Sequence, residues 1–126
     1  MIWKTIRLEL GPTASFPKGS ASRAFVLCVP LDEDGRIDQP SMARNPGRAT
    51  VKRFWASDPD QFGRLEYAQG SWILNVRDIQ TDQAYRLVTK PLEIDALVDV
   101  KGPDGTTLPF RVASIGGSRP LSVAAE

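Results

Sequence analysis

Apolar and polar residues alternate with a period of two along most of this chain, and that rhythm limits its fold more than any other feature. Over residues 2–10, Ile2, Ile6, Leu8 and Leu10 fall on one side and Trp3, Thr5, Arg7 and Glu9 on the other, as in an extended strand with one wet face. Residues 23–31 place Phe25, Leu27 and Val29 opposite Ala24, Val26 and Cys28, so both faces of that strand are expected to be covered. Further strands are predicted over 49–55, 62–67, 71–77, 85–89, 92–101 and 108–112. Over 92–101, Leu92, Ile94, Ala96, Val98 and Val100 alternate with Glu93, Asp95, Asp99 and Lys101, which puts the acidic side in water.

The segments are separated by turn chemistry. Asp34-Gly35, Gln69-Gly70 and Pro103-Asp104-Gly105 suit sharp reversals, because glycine takes a positive φ at little steric cost. Residues 11–22 and 38–48 lack periodicity and read as long loops. Apolar residues nowhere recur at helical spacing over three turns, so at most one short helix is expected. About seven to nine short strands at roughly ten-residue spacing indicate an all-β fold, a small antiparallel β-barrel or a barrel-like sandwich, and closure into a barrel is favoured because it removes exposed edges. The expected organisation is one domain over residues 1–115, followed by a frayed, flexible tail over 116–126 that is rich in Gly, Ser, Pro and Ala.

The chemistry on offer is narrow. The 126 residues include no histidine and one cysteine, which removes the side chains most used for proton transfer, nucleophilic attack and metal binding. Cys28, with no basic neighbour, is expected to be a small buried hydrophobe. No run approaches the roughly 20 apolar residues of a membrane span, and no secretory signal is visible, so the expectation is a soluble cytoplasmic protein without membrane contact. Neither a cofactor nor a metal is expected.

Several short patterns lose to simpler readings. Ser15-Phe16-Pro17-Lys18 has the Ser-x-x-Lys spacing of penicillin-recognising enzymes, but that chemistry needs the serine on a helix and Pro17 keeps this segment a loop. Closely spaced aspartates at 32–34 and 58–60 lack a closing carboxylate at calcium-loop spacing and are read as turn formers. Gly70-Ser71-Trp72 matches a tripeptide found near the first strand of lipocalin-like and avidin-like barrels. It lies mid-chain here, and Trp72 is read as a core residue following a turn.

The remaining signal is a basic stretch. Arg44, Arg48, Lys52 and Arg53 lie in a span without acids beside Phe54 and Trp55, a combination that small barrels use to hold phosphates and stack bases. Net charge is only +1, so the whole molecule has no strong pull on polyanions. The first expectation is therefore a non-catalytic barrel that binds a small molecule or a protein partner, or associates with itself, using the loops over 11–22 and 38–48 on one rim. The second is a nucleic-acid or polyanion binder using Arg44, Arg48, Lys52, Arg53 and Trp55.

Overall fold

In the computed structural model, which describes residues 2–117, eight antiparallel strands close into a barrel in chain order. They are β1 (Ile2–Leu10), β2 (Ser20–Leu31), β3 (Thr50–Trp55), β4 (Gln61–Ala68), β5 (Ser71–Arg77), β6 (Asp82–Leu87), β7 (Leu97–Lys101) and β8 (Thr107–Gly117). Each strand pairs with its sequence neighbours, and β1 closes on β8 from Lys4 opposite Gly117 to Leu10 opposite Phe110, with a register shift between Arg7 and Leu8. The all-β barrel expected from the alternation is the observed fold.

Register follows the alternation. Trp72, Leu74 and Val76 on β5 are all buried, as are Ile6, Leu8 and Leu10 on β1 and Val98 and Val100 on β7. Slipping β5 by one residue would expose all three of its core side chains at roughly 1.5–3 kcal/mol each. Eight strands leave an interior just wide enough for side chains to fill, and Phe25, Leu27, Val51, Leu87, Phe110 and Val112 complete it.

Four local expectations are corrected. Residues 38–48 are not a loop: α1 (Gln39–Arg44) and a short 3-10 turn (Pro46–Arg48) form there. The Asp38 carboxylate accepts the Ser41 N–H at 3.1 Å and Pro40 fits the first helical turn, an N-cap and proline pairing that starts helices. The strand expected over 92–101 is limited to Leu97–Lys101, because Asp95 adopts a positive φ of 70° and breaks the extended run; Leu92 still reaches the core, but Ile94 is exposed. Residues 20–22 belong to β2 rather than to the preceding loop. Cys28 is half-buried on the outer wall, opposite Thr5 and Thr50, because Leu27 and Val29 hold the inward positions. The expected tail lies outside the described residues except for Gly116 and Gly117, which extend β8.

The two ends of the barrel differ. At one, the connections after β2 and β6 bring Met42 of α1 and Leu92 into the core beside Trp72, and the Leu92 N–H donates to the Gly35 carbonyl at 2.8 Å. At the other, the connections are residues 11–19, 56–60, 78–81 and 102–106. Since one strand, β2, separates residues 11–19 from residues 38–48, those two segments lie on opposite rims, and the expectation that they share one is overturned. No helix among the described residues is long and apolar enough to cross a membrane.

Candidate functional site

The end opposite α1 holds a cavity of about 320 Å³. Its floor is aromatic: Phe25 and Phe110 meet edge to face with ring centres 5.3 Å apart, Phe25 meets Tyr85 at 5.1 Å, and Trp55 lies 6.2 Å from Phe110. Inward parity places these rings there, for Phe25 is opposite Arg53 across the β2–β3 ladder and Val98 is opposite Phe110 across β7–β8.

A guanidinium stands among the rings. On β3, Val51, Arg53 and Trp55 point inward while Thr50, Lys52 and Phe54 point outward, so Arg53 is buried, with 8% of its surface exposed. Its guanidinium carbon lies 4.5 Å from the centre of Trp55 and 5.3 Å from that of Tyr85, within range for cation–π attraction.

Among the described residues, the polar contacts of Arg53 all use one nitrogen. Nη1 donates to the Gln61 Oε1 at 3.3 Å and lies 3.7 Å from the Asp58 carboxylate, which is half exposed. Nε is buried and finds no acceptor, and no hydrogen bond forms at Nη2 among the described residues. Nε and Nη2 make up the side edge of a guanidinium, the pair of donors that binds a carboxylate through two parallel bonds. Leaving a buried donor such as Nε unpaired costs about 1–3 kcal/mol.

The guanidinium is held from behind. Gln61 is 2% exposed, and its Nε2 donates to Asp78 Oδ2 at 3.3 Å and Thr81 Oγ1 at 3.1 Å. Asp78 in turn accepts the N–H groups of Gln80 and Thr81, which hold its carboxyl below the usual aspartate value, Gln80 contributing most. On the opposite wall, burial pushes the Tyr85 phenol above its usual value, the nearby Arg53 charge opposing it. The phenol stays protonated and donates to Gln83 Oε1 at 3.0 Å. A second cation flanks the mouth: Arg23, opposite Trp55, packs over the Phe16 ring at 4.2 Å and over Trp55 at 5.9 Å. Phe16, Arg23, Trp55, Arg53 and Tyr85 thus alternate ring and cation along the rim.

The basic stretch is divided among three places. Arg53 and Trp55 line the cavity. Lys52 is on the outer wall, 5.9 Å from the Phe62 ring. Arg44 and Arg48 are exposed at the other end, where Arg44 donates to Ser41 Oγ and Arg48 packs over Trp3 at 4.5 Å. The alternation around Val51 marked Arg53 as inward; the basic run hid that. Gln61 faces Arg53 across the β3–β4 ladder and Arg23 faces Trp55 across β2–β3, pairings that need the strand register, and only closure of the barrel brings Tyr85 to Arg53.

A larger depression of about 520 Å³ crosses the outer wall of β4–β6, but its charged residues Arg64, Arg77 and Asp82 are exposed. No cluster of acidic and cysteine side chains suited to a metal occurs among the described residues. Comparison with known proteins finds no matching family model, no similar curated protein and no similar solved structure.

Proposed function

We propose that this chain is a non-catalytic binding barrel whose open mouth takes an anionic ligand. A carboxylate or similar planar anion pairs with the Nε–Nη2 edge of Arg53, and an apolar body packs on Phe25, Trp55, Tyr85 and Phe110. The observation that carries this reading is the unpaired guanidinium edge inside an aromatic-walled cavity. A filled barrel interior leaves binding to the rim, and the rings supply most of the contact area, as is usual in small-molecule pockets.

Titration calorimetry with naphthoate and with its neutral amide tests the reading. The carboxylate is expected to bind at least tenfold more tightly, and Arg53→Met to abolish the difference. Equal affinity for the two compounds, or an unchanged preference in the variant, contradicts it.

The polyanion reading has less support, because Arg44 and Arg48 stand at the end opposite Arg53 and Trp55 and net charge is only +1. A fluorescent single-stranded oligonucleotide separates the two: the polyanion reading requires binding at low salt that falls steeply as salt rises and is lost in an Arg48→Ala, Lys52→Ala double variant.

A further inference from the structure

The wall of this mouth contains an open strand edge. β6 spans six residues, Asp82–Leu87, yet only Arg86 and Leu87 pair with β7, opposite Lys101 and Val100. On its other side β6 pairs with β5 over its whole length, from Arg77 opposite Asp82 to Trp72 opposite Leu87. β7 ends at Lys101, and the chain turns at residues 102–106, where the Gly102 N–H donates to Thr106 and Asp104 accepts the Thr106 N–H and hydroxyl. Residues 82–85 therefore extend beyond the ladder with no strand beside them among the described residues. The cavity occupies that place: Gln83 and Tyr85 line one side of it, and Gly102, Asp104 and Thr106 the other.

An unpaired edge offers main-chain donors and acceptors to an incoming strand. Proteins commonly block such edges with charged residues, proline or a bulge, and of these residues 82–85, Asp-Gln-Ala-Tyr, hold only Asp82, at the outer end. Four residues at about 3.3 Å each give an edge of about 13 Å, the length of a short extended peptide. Unpaired main chain and the unpaired edge of Arg53 thus meet in one cavity.

Resting on the anion-binding reading above, we infer that the ligand is the extended carboxyl-terminal end of a peptide. The peptide pairs with β6 over residues 82–85, its terminal carboxylate sits on the Nε–Nη2 edge of Arg53, and its last side chain packs on the aromatic floor. Since β6 runs inward from the open end, a peptide that enters carboxylate first runs parallel to it. Asp82 and Asp104 are exposed at the rim, so acidic residues upstream of the terminus are disfavoured by like charge while the terminus itself reaches the cation. A free small carboxylate satisfies Arg53 alone; a peptide terminus satisfies Arg53 and β6 together.

The experiment presents the protein with hexapeptide pools randomised at their last four positions, one with free carboxyl termini and one amidated, and identifies retained members by mass spectrometry. Amide hydrogen exchange of residues 82–85 is followed in parallel by NMR. The expected result is at least tenfold greater retention of the free acids, enrichment of bulky apolar last residues, and at least tenfold slower exchange at two or more of the four amides. Equal retention of the two pools overturns the inference, and this comparison needs no variant. Naphthoate bound through Arg53 with no peptide retained overturns the peptide inference and leaves the anion site standing. Retention of neither overturns both.

Discussion

Arg53 packs over Trp55 at 4.5 Å because residues two apart on a strand share a face, and that face is the inside of the barrel. A cation at an inward position is expensive unless something uses it. Its neighbours hold it in place through Nη1, while the buried Nε has no acceptor among the described residues, the donor that the proposed anion would satisfy.

Arg53→Met should therefore leave stability within about 1 kcal/mol of the parent or raise it, since an apolar side chain of similar length removes a buried charge while orphaning the Gln61 acceptor and the Asp58 carboxylate, which is half exposed and can be solvated. The midpoint of urea unfolding measures this. A loss above roughly 3 kcal/mol would mean that Arg53 is a structural pillar of the barrel.

Gly63→Ala should be severely destabilising. A Cβ at Gly63 would fall 1.6 Å from the Asn75 carbonyl oxygen and 2.9 Å from the Val76 Cα, and these are main-chain atoms of the paired strand that cannot rotate aside. A cost of at least ~3 kcal/mol is expected, read as a lower thermal or urea midpoint; a midpoint matching the parent would show that β4 and β5 do not approach as closely as described.

Acid sensitivity should be traceable to Asp78. Hydrogen bonds from Gln80 and Thr81 lower its folded pKa below the usual 3.8, so its contribution is fully present above 3.8 and is lost as pH falls through the lower folded value. Asp78→Asn is expected to flatten that part of the stability profile, and unchanged steepness in acid denaturation monitored at several pH values would refute the assignment.

Asp38→Ala should loosen the plugged end. Removing the cap on Ser41 weakens the first turn of α1, and because Met42 of the same helix is buried in the core, faster amide exchange should appear around Met42. Exchange unchanged there would indicate that packing alone holds α1.

Strand positions were legible because a period of two survives wherever one face is buried, as Trp72, Leu74 and Val76 illustrate. Helix α1 was harder to read, since its six residues are too few for a helical period, although Asp38 and Pro40 together carried a start signal. The alternation around Ile94 does not reveal where β7 begins, because a single positive φ at Asp95 breaks a strand without altering the pattern. The site was least legible. Phe25, Arg53, Gln61 and Tyr85 come from four strands, and only the parity of Val51, Arg53 and Trp55 on β3 hinted that one cation of the basic run faced inward.

The most direct test of the account is the NMR signal of the Arg53 Nε–H during titration with naphthoate. The account predicts a large, saturable downfield movement of that proton as it gains an acceptor, together with slower exchange with water. Saturable binding that shifts signals elsewhere and leaves the Arg53 Nε–H where it began would contradict it.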